Sequence, residues 1–146
     1  MTEVIREVHP AQAGMLVASS QIVRRLSKDA GIEIKVPPFE ATVLDCAWRE
    51  VVKHPLPQES SEWIIASFAA LLIQHFCAIY GFEIKELEDD HGTSACLVEP
   101  RTGVRLFPFD IIQRRIDVQD DHPFEPLFIQ VDCLMQQHGI ARRALA

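Results

Sequence analysis

Apolar and polar positions recur along this chain with two periods, and the change from one to the other outlines its elements. Pro10 opens a helix, where its missing N–H costs nothing. Met15, Ala18, Ile22 and Leu26 then recur at helical spacing, with Arg24, Arg25 and Lys28 turned away from that stripe. Gly31 ends the helix, and Ile32-Glu33-Ile34-Lys35-Val36 alternates as a half-buried strand does until Pro37-Pro38 stops it. A second helix carries Phe39, Val43, Cys46, Ala47 and Val51 on one face and closes at Pro55 and Pro57. Ser60 or Ser61 caps a third, with Glu59 and Glu62 near its positive end. From Trp63 to Tyr80 this helix is apolar nearly all round, the mark of the buried centre of a fold.

Beyond Gly81 the period shortens to two. Phe82 to Leu87, Ala95 to Glu99 and Val104 to Phe107 read as three antiparallel strands joined by turns at Asp89-Asp90-His91-Gly92 and Pro100-Arg101-Thr102-Gly103. Pro108 then opens a short helix from Phe109 to Ile116. A last helix starts at His122 or Pro123, carries Phe124, Leu127, Phe128, Val131, Leu134 and Met135 as a stripe, and ends at Gly139. The expected architecture is α+β: one domain over residues 1–146, its helices packed on one face of a small antiparallel sheet, with the last helix across the hairpin. Residues 1–9 are expected as a short strand or loose arm and 140–146 as a frayed tail. Gly31-Ile-Glu-Ile-Lys35 and Gly81-Phe-Glu-Ile-Lys85 share a helix–glycine–strand grammar, which common capping chemistry explains.

The segment from about residue 60 to 137 resembles an uncharacterised bacterial domain-of-unknown-function family. The features that carry it are Tyr80-Gly81-Phe82 before the hairpin, Leu106-Phe107-Pro108, Ile112, Arg115-Ile116, an acidic linker and the closing amphipathic helix. Where that family often has a lysine, this chain has Arg114. The resemblance implies a fold and no activity.

Charge narrows the function classes. The formal net charge of -7 argues against nucleic acid, whose phosphates want a basic face, and suits a basic protein partner. The charge is concentrated at Glu83, Glu86, Glu88, Asp89 and Asp90, which together with Arg101 at a hairpin tip form the expected partner-binding set. The four cysteines have no short spacing, and MTEVIREVHP contains no apolar secretory stretch, so reduced thiols in a cytoplasmic protein are expected. Ser67, Gln74 and His75 interrupt the apolar helix, so no membrane span is expected.

Catalytic patterns are sparse. Asp-Asp-His occurs twice, as Asp89-Asp90-His91 and Asp120-Asp121-His122, and two such groups brought together would hold a divalent metal for a small hydrolase. Both copies also fall where turns and helix starts favour acids. Glu83-x-Lys85 has the acid–lysine spacing of metal-dependent nucleases, but also that of a solvated strand face. His75 and Cys77 lie two apart on a helix, on divergent faces, and read as core residues. No phosphate loop, nucleophile elbow or dinucleotide fingerprint occurs, and no cofactor is expected. The leading expectation is therefore a non-enzymatic protein-interaction domain of adaptor, immunity or chaperone type, as a monomer or as a homodimer joined through the last helix.

Overall fold

The computed structural model describes residues 3–53 and 61–143, the side chains of Lys53 and Ser61 excepted. Its elements run β1 (Val4–Glu7), α1 (Pro10–Asp29), α2 (Ala41–Lys53), α3 (Ser61–Tyr80), β2 (Glu83–Asp89), β3 (Gly92–Val98), β4 (Arg105–Leu106), α4 (Pro108–Asp117) and α5 (Phe124–Gln137). Pro55, Pro57, Glu59 and Ser60, invoked above to end α2 and cap α3, lie outside the described residues, as do 144–146.

The four strands form one antiparallel sheet in chain order, β1-β2-β3-β4. Residues 4–7 are thus a strand rather than a loose arm, pairing Val4 with Glu88 and Glu7 with Lys85. Ile84 opposite Leu97 and Leu97 opposite Leu106 put one face of the sheet on the core, and the helices pack on that face. The other face carries Ile5, Glu7, Lys85, Leu87 and Cys96 by the period-two alternation.

α3 is the centre, flanked by α1 and α4, while α5 packs beside α2. By length and composition α3 could cross a bilayer, yet in this fold most of its surface is buried among neighbours. Trp48, Phe68 and Phe124 meet edge-on or tilted at ring separations of 5.0 to 6.0 Å, locking α2, α3 and α5 together. Each such fully buried side chain contributes roughly 1.5–3 kcal/mol of transfer free energy. The α5 stripe falls inward as its periodicity predicts, with Phe124, Leu127, Phe128, Val131 and Met135 buried. The helix that reaches β3 is α4 rather than α5, because α5's apolar stripe is already engaged by α2 and α3.

The structure corrects three readings in the N-terminal half. Segment 32–36 is not a strand: Arg24 Nη1 donates to the Ile34 and Lys35 carbonyls, both at 2.8 Å, in place of a ladder. Arg24 is accordingly turned inward, also donating to Gln74 Oε1 at 3.0 Å and lying over the Phe39 ring. On α2 the buried face is Leu44, Ala47, Trp48 and Val51, so Cys46 is exposed. On α1 the buried residues are Ser20, Val23 and Ser27, and the predicted stripe of Met15, Ala18 and Ile22 faces outward. The reason is polar pairing: Ser67 Oγ donates to the Ser19 carbonyl, and Gln74 Nε2 to Ser20 Oγ at 3.2 Å. The C-terminal tail is docked as far as Arg143, with Ile140 buried and the Arg143 N–H bonded to the Ile79 carbonyl at 2.7 Å.

Candidate functional site

The acidic run on β2 does not form one patch. Alternation sends Glu86 and Glu88 to the helix-facing side, beside Ile84, and Glu83 and Asp89 to the opposite side, where Leu87 and Cys96 are buried, with Asp90 in the turn. Each set is partly neutralised by one cation, Arg6 of β1 on the helix-facing side and Lys85 of β2 on the other. Arg6 lies 3.6 Å from Glu86 and pairs with Glu88, while Lys85 pairs with Glu7 and lies 3.3 Å from Glu83. The pairs of Arg6 and Glu7 cross from β1 to β2, whereas Lys85–Glu83 lies within β2, and surface pairs of this kind add little to stability. Lys85 is engaged by two glutamates, Glu83 on its own strand and Glu7 across on β1, so Glu83-x-Lys85 is part of the sheet's surface ion pairing.

Above the helix-facing side of β2 and β3 runs a groove of about 290 Å³, walled on its far side by α1. Met15, Leu16, Ile84 and Phe109 supply its apolar surface, and Gln12, Thr93 and Glu86 are among its polar lining. Met15 is 69% exposed. The groove therefore joins an apolar lining to a carboxylate rim, with Glu88 one pleat further along the same face. Small residues open it: Ala66 and Ala95 line the floor where larger side chains would fill it.

Arg101 belongs to a different place. It lies beyond the end of β3 opposite to Asp89 and Asp90, so a whole strand of seven residues, roughly 20 Å, separates it from them. Its Nε donates to Glu99 Oε1 at 2.7 Å, and the Thr102 N–H and hydroxyl both donate to Glu99 Oε2, at 2.8 and 2.7 Å. Burial pushes the Glu99 carboxyl up, but Arg101 and Thr102 together overcome it and hold the carboxyl down at about 2. Arg101 is thus a turn-building residue on a buried carboxylate.

The two Asp-Asp-His segments do not converge, and among the described residues no three His, Cys, Asp or Glu side chains are placed to hold a metal ion. Each segment instead makes the same local turn. Asp89 Oδ1 accepts the His91 N–H at 2.8 Å, and Asp120 Oδ1 accepts the His122 N–H at 2.9 Å. The second copy is tied down further: Trp48 Nε1 donates to the Asp120 carbonyl at 2.8 Å, Arg115 lies 3.5 Å from Asp120, and Arg49 Nη1 lies 2.8 Å from His122 Nδ1. A cleft of about 390 Å³ opens beside it, with Arg49, Arg115, Asp120 and Asp121 among its lining.

His75 is a core residue. Its Nδ1 accepts the Phe39 N–H at 3.0 Å, its ring stacks on Phe128 at 4.0 Å, and burial, aided by Arg142, lowers its pKa to about 4. Burial raises the thiol of Cys77 to about 11 and also raises that of Cys96, the opposite of nucleophile activation.

Periodicity missed the α1 wall of the groove, because it assigned Met15 to the core. The signal that would have placed it correctly is Ser19-Ser20 on α1 together with Ser67 and Gln74, the polar positions seven apart on the otherwise apolar α3. No protein-family model, curated protein or solved structure matches this chain.

Proposed function

We propose that this protein is a non-enzymatic protein-interaction domain of the adaptor, immunity or chaperone type, whose partner docks in the groove between α1 and the β2–β3 hairpin. The observation that carries this reading is the conjunction at that groove: an apolar lining of Met15, Leu16, Ile84 and Phe109 beside Glu86, with Glu88 one pleat further along and the two carboxylates sharing the single cation Arg6. Apolar burial supplies affinity, and carboxylates at the rim supply orientation and steering. The partner segment that fits presents two or more bulky apolar residues flanked by lysine or arginine. The chain's net charge of -7 favours the same basic partner at long range. In this reading Arg101 and the Asp-Asp-His segments are turn chemistry and contribute no contact.

The test is a pull-down with the purified wild-type protein and a Glu86→Lys/Glu88→Lys variant as parallel baits. A basic protein retained by the wild type and lost by the variant supports the reading. A partner retained equally by both, or no specific partner, counts against it.

A further inference from the structure

α4 packs against α3, and α5 beside α2, so a groove of about 470 Å³ is left between α4 and α5. Each helix lines it with one stripe at i, i+3, i+4, i+7: Ile111, Arg114, Arg115 and Val118 from α4, and Leu127, Gln130, Val131 and Leu134 from α5. Leu127 and Val131 are buried and Val118 is 68% exposed, so apolar side chains line the groove from its depth to its rim. Sites for small ligands enclose about 300–1,000 Å³.

Charge here is the reverse of the chain's. The protein carries a net -7, yet the charged residues lining this groove are Arg114 and Arg115, with no carboxylate beside them among the described residues. The acids of both helices stand on other faces. Asp110 and Asp117 fall on the flank of α4 with Gln113, whose Nε2 donates to Asp117 Oδ1 at 2.9 Å. Glu125 and Asp132 fall on the side of α5 away from Leu127 and Leu134, and Asp132 accepts the Tyr80 hydroxyl. Asp121 lines the neighbouring cleft with Arg49. Among the described residues the carboxylate that reaches either guanidinium is Asp120, 3.5 Å from Arg115, while the Arg114 side chain has no partner. Two guanidiniums and one carboxylate leave an excess of one positive charge, which matches a monoanion better than a phosphate of about -1.5 to -2.

The groove is also polar end to end. Arg115 reaches forward to Asp120, past the end of α4, whereas Leu106 and Ile111 line the uncharged end, roughly 10 Å back along that helix. Consecutive arginines clamp one head group; an acidic peptide would need cations spaced along the groove. We propose that this groove binds a short aliphatic carboxylate, its head held by Arg114 and Arg115 and its tail laid along Ile111, Leu127 and Val131. Guanidinium suits that head because its fork of N–H donors matches the two carboxylate oxygens. The site is separate from the α1 groove and opposite to it in charge.

An NMR titration of the methyl-labelled full chain with octanoate, 1-octanol and octylamine tests the proposal. Octanoate is expected to give saturable shifts at the Ile111, Leu127, Val131 and Leu134 methyls, octanol weaker ones at the same methyls, and octylamine none there. Arg114→Glu, at an exposed position without a partner, is expected to keep the wild-type circular dichroism and to weaken octanoate on the order of tenfold or more. Gln130→Trp, also at an exposed position, is expected to block the groove without unfolding the chain. Equal binding of octanoate and octylamine, shifts that never saturate, or octanoate binding that survives both variants overturns the proposal. So does a glutamate- and leucine-rich peptide that shifts these methyls where octanoate does not, which gives the groove to a protein partner. Shifts of the same methyls on dilution without ligand give it to a second copy and overturn the proposal as well.

Discussion

Asp45, in the middle of α2, caps the N-terminus of α5: its Oδ1 accepts the Phe124 N–H at 2.8 Å and its Oδ2 the Glu125 N–H at 3.3 Å. Pro123, the residue before α5, offers no side-chain acceptor, so the cap comes from 79 residues away in the chain. The same bond positions Phe124 against Trp48 and Phe68, which makes Asp45 a joint between a helix end and the aromatic core.

Asp45→Ala removes that cap and leaves a buried N–H without an acceptor. It is expected to lower stability by about 2 kcal/mol in urea unfolding. Burial raises the Asp45 carboxyl above 3.8, and the Phe124 and Glu125 N–H groups, His122 and Arg49 pull it part of the way back. Because the folded pKa exceeds the unfolded one, this carboxyl favours folding at low pH, and that contribution is lost as pH rises through the folded value. Asp45→Asn keeps an acceptor and is expected to destabilise less than Asp45→Ala while flattening that pH dependence.

His75 acts in the opposite direction. Its folded pKa of about 4 lies below the ordinary 6.5, so the unfolded chain binds the proton first and stability falls as pH drops from 6.5 to 4. The full loss is roughly 3 kcal/mol at 1.36 kcal/mol per pKa unit. His75→Gln, a neutral acceptor for the Phe39 N–H, is expected to lose most of this slope in denaturation curves measured across that window.

Glu99 defines a lower window. Its carboxyl, held at about 2, contributes stability above 4.5 that is lost as pH falls through 2. Glu99→Ala is expected to cost about 2 kcal/mol and to speed amide exchange at Thr102 and Gly103, since the N–H of Thr102 loses its acceptor. An unchanged exchange pattern would contradict the turn-building role assigned to Glu99 and Arg101.

The inverted face of α1 yields a paired prediction. Val23→Ala, at a fully buried site, is expected to cost about 1–3 kcal/mol, and Met15→Ala less than about 0.5 in the monomer. Equal costs at the two sites would restore the orientation that hydropathy alone suggests.

Sequence pattern and structure agree where hydropathy and packing carry the same information. In α3 and α5 the apolar residues are the buried ones, and turns fall where Asp89–Gly92 and Pro100–Gly103 were expected, although the strands of the first hairpin run further into the turn, with Asp89 paired to Gly92. They part where polar groups decide. Ser20 displaces Met15 and Ile22 from the inward face of α1 because α3 offers Gln74 to its hydroxyl and Ser67 to the neighbouring Ser19 carbonyl. Segment 32–36 alternates like a strand, but a guanidinium from another element satisfies its carbonyls. The site followed the same rule. Glu86 and Glu88 were legible as acids on a strand, whereas their apolar neighbours across the groove belong to α1 and α4, and only the tertiary arrangement brings Met15 and Phe109 beside them.

The most direct test of the groove is an NMR titration of the labelled protein with two synthetic peptides. One carries leucines flanked by lysines, and the other has each lysine replaced by glutamate. The account predicts saturable shifts at Met15, Leu16, Ile84 and Ala95 with the basic peptide, much weaker ones with the acidic peptide, and loss of the shifts in Glu86→Lys/Glu88→Lys. Shifts confined to other surfaces, or equal binding of both peptides, would contradict it.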